Sequence, residues 1–515
     1  LILYQQHKLD EAAAYLEQTV RLNPDHVVAR RNYGLVLNAT GLAQLNQGRW
    51  SDALKTFDRI LALDPAHAEA LNNRAHALHQ LHRFDEAAAS YAAALAQRPG
   101  DADILKNRGL MRLELRRYAD ALADFDAALA TRASFAEAWN ERGNTLQKLN
   151  RIDEALASFD HAIALKPDYA AAHSHRGGAL MRLRRMDEAL NAYAHAQAID
   201  PQFAKAHLNE GMCRLLTGDF ERGWPKYEYR WQCEPLSALQ KHFDAPLWLG
   251  QGDIAGKTIL LHAEQGAGDT IQFCRYAPLL AARGARVLLQ VQSSLKTLLA
   301  NLDGVSGLYS DAEALPAFDL HCPLMSLPLA CKPMIPAQIS YLQATPEAVN
   351  TWAARLPART RPRIGLVWSG DPRHGEDHNR SIALERFAPL LKTNGEFFSL
   401  QKEIRPADLT WLRDNGRVHD VSGALNDFSD TAAMVSHMDI VVTVDTSVAH
   451  LAGALGKPTW ILLPYIGVDW RWLLTRTDSP WYPTARLYRQ PAIHDWDSVI
   501  AHVAADLATL AAHKA

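Results

Sequence analysis

The stretch LALDPAHAEALNNRAHALHQLHRFDEAAASYAAALAQRPG, residues 61–100, holds one structural unit and the opening of the next. Its first phrase, LALDPAHAEALNNRA (61–75), returns as LAQRPGDADILKNRG (95–109), LATRASFAEAWNERG (129–143), IALKPDYAAAHSHRG (163–177) and QAIDPQFAKAHLNEG (197–211). Pro65, Pro99, Pro167 and Pro201 fall on a grid of 34 residues, with Ala133 at the remaining point. Ahead of each later point a second phrase recurs: FDEAAASYAAAL, YADALADFDAAL, IDEALASFDHAI, MDEALNAYAHAQ. Leu, Tyr and Phe at i, i+3, i+4 spacing give each phrase one apolar helical face, and small Ala and Gly let paired helices approach closely. Proline is expected to open the following helix, where its missing N–H costs nothing. A single unit cannot bury its apolar face alone, so neighbours must stack into an α-solenoid. An earlier copy, RLNPDHVVARRNYG (21–34), has its proline 41 residues before Pro65, so that linking helix or turn must hold seven extra residues.

Period and residue types agree over about six copies, and the pattern is identified as the tetratricopeptide repeat. Such arrays bind another protein in their concave groove. Eight residues after the grid points stand Asn32, Asn73, Asn107 and Asn209, interrupted by Glu141 and His175. The row resembles the asparagine ladder of eukaryotic O-linked N-acetylglucosamine transferase, which implies that these amides grip an acceptor polypeptide. An amide both donates to and accepts from a peptide group, so it reads extended chain without reading its sequence. The same amides could instead bridge neighbouring helices.

Bulk properties narrow the classes. The formal net charge is −3 over 515 residues, without the basic excess of a nucleic-acid binder. No run approaches the ~18 apolar residues of a membrane span. Residues 1–18 carry Asp10 and Glu11 in an amphipathic pattern and do not read as a signal peptide, and the missing Met points to a trimmed start. Five cysteines form no CxxC pair, which points to a reducing, cytoplasmic setting and to no zinc site.

The domain reading is a repeat array over 1–218, a docking linker over 219–255, and two α/β lobes over 256–350 and 351–515. The linker is rich in aromatics, with Trp224, Tyr227, Trp231 and Trp248 as packing anchors. Beyond Gly256 short apolar runs alternate with helical stretches: TILLHA, ARVLLQV, FDLHC, then RIGLVWS, EFFSLQ, DIVVTVD and PTWILLP. Such runs suit parallel strands covered on both faces. Alternation with helices predicts two doubly wound sheets facing across a cleft, the GT-B arrangement, with ligands beyond the carboxyl ends of the strands.

At those ends stand the chemical candidates. TILLHA leads into Gly266-Ala267-Gly268-Asp269, a glycine turn opening a helix. DIVVTVD leads into Asp445-Thr446-Ser447, cap-type residues at a helix start, with His450 one turn deeper. A helix start there offers free amides and a positive end to an anion. RIGLVWS ends in Ser369-Gly370, followed by a polar loop reaching Arg380, and EFFSLQ ends in Lys402, a point charge for phosphate oxygens.

The second half resembles the bacterial heptosyltransferases, glycosyltransferase family 9, through GAGD (266–269), DFSDTAAMVSHMDIVVTVD and DTSVAHLAGALGKPTW (445–460). The resemblance implies Asp269 as catalytic base, Asp445, Thr446, Ser447 and His450 on the donor diphosphate, and Lys402 on phosphate. LQKEIRP also resembles the lysine segment of the O-linked N-acetylglucosamine transferases. Repeats joined to this domain, with DWRWLL and SPWYPTARLYRQ, are similar to bacterial fusions, some of which glycosylate flagellin. The expected function is inverting, metal-independent transfer from a nucleotide-sugar to a hydroxyl of a protein held by the array, without a cofactor. Two alternatives stand beside it: an envelope lipid or saccharide glycosyltransferase, and a non-catalytic repeat scaffold.

Overall fold

The computed structural model describes residues 2–6, 8–332, 335–336 and 338–513. Contacts divide the chain into two compact units, Leu1–Pro201 and Gln202–Ala515.

The first unit alternates helices of 13 and 14 residues, such as Ala68–Gln80 and Phe84–Gln97. The grid prolines do not open helices. Pro65 and Pro99 lie in turns after Leu63 and Gln97, and the next helices start at Ala68 and Ala102. A fixed φ suits proline to the first central position of such a turn. The seven extra residues lengthen one helix, Val27–Asn46, to 20 residues.

That insertion moves the packing register. A Cβ on Gly109, Gly143 or Gly177 would stand 2.5–2.8 Å from the ring of Phe125, Phe159 or Tyr193, each sixteen residues later. In the long helix the glycine beneath the ring of Phe57 is Gly41, and Gly34, the glycine of the repeated phrase, faces open space. Gly143→Ala is therefore expected to cost about 1–3 kcal/mol by overpacking against buried Phe159. Gly34→Ala should gain about 0.5–1 kcal/mol of helix propensity. Thermal melts of the two variants separate packing from propensity, and equal effects would refute the register.

The same shift removes Asn32 from the expected ladder, because the residue two before Gly41 is Ala39. Asn107 and His175 are engaged between repeats, and Asn73 within its own helix. Asn107 donates to Asn72 Oδ1 at 3.1 Å, Asn72 donates to Asn73 at 3.3 Å, and His175 bonds Asn140 at 2.8 Å. Asn107 and His175 of the row thus bridge neighbouring repeats. Asn209 lies in the second unit, on helix Ala204–Leu216.

The second unit begins at Gln202. Helix Ala204–Leu216 packs on Phe220–Tyr227, where Gly211 lets the Lys226 backbone come within 2.9 Å of a Cβ position. Of the linker aromatics, Trp224, Tyr227 and Trp248 are buried and Trp231 is half-buried. Arg230 is fully buried, its Nη1 2.6 Å from Glu228 and its Nη2 3.1 Å from Glu264 and 2.7 Å from Ser326 Oγ.

Two parallel sheets follow. The first has β1 (Thr258–His262), β2 (Arg286–Val291), β3 (Val305–Ser310) and β4 (Leu320–Pro323) in the order β3-β2-β1-β4. The second has β5 (Arg363–Val367), β6 (Glu396–Ser399), β7 (Val418–Asp420), β8 (Ile440–Val444), β9 (Thr459–Leu463) and β10 (Ala485–Arg489), ordered β10-β9-β8-β5-β6-β7. Alternate residues of its strands feed two cores. Ile364, Leu366, Val442 and Leu462 meet Trp496, Ile500 and Val503 of the last helix. Val367, Phe398 and Val441 meet Trp352 and Met434. Burial on both faces explains the continuous apolar runs. Among the described residues no helix is long and apolar enough to cross a membrane. The five cysteines are free, four of them buried.

Candidate active site

In-register pairing of β5 with β6 and β8 brings the segments after Val367, Ser399 and Val444 to one edge of the second sheet. Ser369 and Gly370 follow β5. The Ser369 amide donates to Gln401 Oε1 at 3.2 Å, which ties this end to the end of β6. Arg380 lies over Gly370, its guanidinium 2.6–2.8 Å from where a Cβ would stand, and its Nη1 donates to the Asp445 carbonyl at 2.9 Å. Arg405, a residue the sequence reading did not single out, arrives from the start of helix Pro406–Asn415. Its Nη2 donates to Asp377 at 2.6 Å and to Ser381 Oγ at 3.2 Å.

Two guanidiniums thus share one carboxylate, Asp377. Three buried polar atoms of this edge have no hydrogen-bond partner: Ser369 Oγ, Arg380 Nε and Arg405 Nε. Arg380 Nε is 3.9 Å from Asp377, beyond hydrogen-bond reach. More than nine in ten buried polar groups find partners in folded proteins. The three orphan groups lie beside the two guanidiniums that share Asp377.

At the end of β8, Thr446 holds the N-cap position of helix Ser447–Ala454 with extended dihedrals and no side-chain cap hydrogen bond. Asp445, Thr446 and Ser447 are half-buried. Burial and the neighbouring Asp469 push the Asp445 carboxyl up to about 6, against the pull of Arg380. His450 is buried, bonded through Nδ1 to Tyr482 Oη at 2.9 Å and stacked on Trp472 at 5.2 Å. Burial, with Arg471 and Arg275 nearby, drives its pKa well below the usual value. The imidazole is therefore neutral and offers a hydrogen bond.

The glycine turn packs directly against the helix after β8. A Cβ on Gly268 would lie 2.9 Å from His450 Cδ2 and 3.4 Å from Ser447 Cα, so the missing side chain serves close helix packing here. Lys402 is exposed and its ammonium donates to the Asn426 carbonyl.

Asp269, the residue that the resemblance implies as base, follows this turn. It is half-buried, accepts from the Gly266 amide at 2.8 Å and pairs with Arg471. Burial raises its pKa while the Arg471 charge pulls it down. Beside this turn a cavity of about 560 Å³ opens at the ends of β1 and β2. Gln265, Gln290, Gln292 and Asp311 line it together with Lys241, His242 and Phe243 from the linker. Lys241 Nζ donates to Gln290 at 3.0 Å and to Asp311 at 2.8 Å.

Comparison with known proteins agrees with both halves. Residues 1–44, 38–102, 74–138, 106–167 and 140–202 match the tetratricopeptide repeat, so the first half is a tetratricopeptide array. Residues 415–462 match glycosyltransferase family 9 (heptosyltransferase), a span from β7 to β9 that contains Asp445, Thr446, Ser447 and His450. Protein FlbA of Caulobacter vibrioides is 24% identical over 325 residues, 58% of this chain and 54% of FlbA. The chain thus spans about half the length of that relative. Among solved structures, PilF of Pseudomonas aeruginosa is 20% identical, covering 39% of this chain and 91% of its own, at a TM-score of 0.35. YrrB, described as a tetratricopeptide-repeat protein with an unusual peptide-binding site, is 21% identical, covering 38% and 96%, at 0.32.

Proposed function

We propose that this chain, which joins tetratricopeptide repeats to a glycosyltransferase domain, transfers a sugar from a nucleotide-sugar to a hydroxyl of a protein acceptor. The observation that carries the reading is the trio of orphan groups, Ser369 Oγ, Arg380 Nε and Arg405 Nε, at the strand ends beside Asp445. Anionic oxygens of a diphosphate satisfy such groups, and ligands of open α/β sheets sit at this edge.

In the proposed reaction the acceptor hydroxyl oxygen attacks the anomeric carbon as the bond from that carbon to the phosphate oxygen breaks. Asp269 takes the hydroxyl proton. The nucleotide leaves with the bonding pair, and its charge falls on Arg380, Arg405 and the free amides after Thr446. Lys402 adds its charge once it leaves the Asn426 carbonyl. Neutral His450 supplies hydrogen bonding and holds the helix start in place. The cavity at the ends of β1 and β2, with its amides and its lysine–aspartate pair, receives the acceptor side chain and adjacent backbone. The array recruits that protein, as tetratricopeptide grooves do, and a flagellin-like partner fits the similarity to bacterial fusions.

Gly370→Ala tests the donor site without removing a charge. Its methyl group would displace the Arg380 guanidinium, so the donor KM should rise about tenfold or more, from the ~1.5–3 kcal/mol of a hydrogen bond to a charged group. An unchanged donor KM would remove Arg380 from the site.

A further inference from the structure

We infer that Arg471 is a positioning residue that orients the Asp269 carboxylate toward the acceptor hydroxyl. The inference rests on the reading of Asp269 as base. Arg471 belongs to the turn Trp470–Trp472 of the C-terminal lobe, and Asp269 to the first helix of the N-terminal lobe. Arg471 is 5% exposed, and its guanidinium spends three nitrogens on three partners. Nε donates to Gln272 Oε1 at 2.5 Å, Nη1 to Asp469 Oδ2 at 2.7 Å, and Nη2 to Asp269 Oδ1. The plane is held over the Trp470 ring at 4.3 Å. Gln272, one turn after Asp269, is fully buried and gives its oxygen to this guanidinium while its own Nε2 has no partner.

The arrangement fixes both carboxylate oxygens, Oδ1 by Arg471 and Oδ2 by the Gly266 amide. Each oxygen thus accepts one hydrogen bond and keeps a lone pair able to take a proton. A flexible ammonium cannot reproduce this, because only the planar fork reaches Gln272, Asp469 and Asp269 together.

The other groups around the carboxylate are unhelpful to its ionised form. Asp469 and Glu264 are acidic and raise its proton affinity or have theirs raised by it, and His450, across Gly268, is neutral. Arg471 is the cation that opposes them, so its removal moves the ionisation of Asp269 to higher pH. The acid limb of kcat/KM must then move the same way.

The test uses the full chain and compares wild type, Arg471→Gln, Arg471→Lys and Asp269→Asn in pH profiles of kcat/KM, with donor affinity measured alongside. Arg471→Gln is expected to lose about a hundredfold at neutral pH through misplacement of the reacting group. Part of the loss should return at alkaline pH, with donor affinity unchanged. Arg471→Lys should keep the charge and fall between the two, and it decides the matter if the glutamine variant does not fold. A uniform loss with an unmoved acid limb, or a lysine variant identical to wild type, would overturn the positioning role. Asp269→Asn with wild-type activity would instead sink the base assignment itself, whatever Arg471 does.

Discussion

Asp269→Asn is expected to lower sugar transfer about 10²- to 10⁴-fold, the usual contribution of a placed general base. The amide keeps an oxygen for Arg471 but has no lone pair able to take a proton at its nitrogen. Its NH₂ group would face the Gly266 amide, donor against donor, in place of the present 2.8 Å bond. That loss resembles removal of a helix cap and costs about 1 kcal/mol of stability, too little to unfold a domain of this size. Donor affinity should stay near wild type, because the orphan groups around Gly370 lie on the other lobe. The discriminating pair of measurements is transfer rate and calorimetric donor affinity. Equal losses in both would mean that the variant damages the fold, and a retained rate would mean that another group accepts the proton. In the wild type the acid limb should lie above the ordinary carboxylate range, because burial raises the Asp269 pKa.

Arg230→Met is expected to destabilise the second unit by about 3–5 kcal/mol, the cost of leaving a buried charge unpaired. Arg230 is 0% exposed and holds Glu264, Glu228 and Ser326 at once, tying the linker to the end of β1. Methionine fills the space but leaves Glu264 without its cation. Burial already pushes the Glu264 carboxyl up to about 7, against the pull of Arg230. A pKa raised on folding contributes stability below the unfolded value, and that contribution is lost as pH rises through the folded value. Without Arg230 the carboxyl climbs further, so protonation relieves the variant more than the wild type. The deficit in Tm should therefore narrow between pH 7 and pH 5. A deficit independent of pH would attribute the loss to packing alone.

Much of this architecture is written locally in the chain. TILLH, RIGLV, IVVTV and TWILL read as strands because both faces of each are covered. VSGLYS (305–310), VHD (418–420) and ARLYR (485–489) escape that reading because they are edge strands, partly exposed and less apolar. The repeat period is legible, but the packing glycine of the long helix is not. The phrase points to Gly34, and only the helix partner reveals Gly41 beneath Phe57.

At the site, the row Asp445 to His450 is legible because a strand end and a helix start adjoin in sequence. Its electrostatics are not, since neutral His450 depends on burial and on Arg471 and Arg275, both distant in sequence. Arg405 and Arg471 escape for the same reason: their partners Asp377 and Asp269 stand 28 and 202 residues away. Arg405 left one trace, its place within LQKEIRP, and Arg471 one within DWRWLL.

The central claim is that orphan groups at the ends of β5 and β8 receive the phosphates of a nucleotide-sugar. Calorimetric titration of the full chain with UDP-, GDP-, ADP- and CMP-sugars addresses it directly. One donor should bind, be displaced by its own nucleoside diphosphate, and lose its affinity in the Arg380→Ala, Arg405→Ala double variant. Binding of none of them, or equal binding to the double variant, would contradict the account.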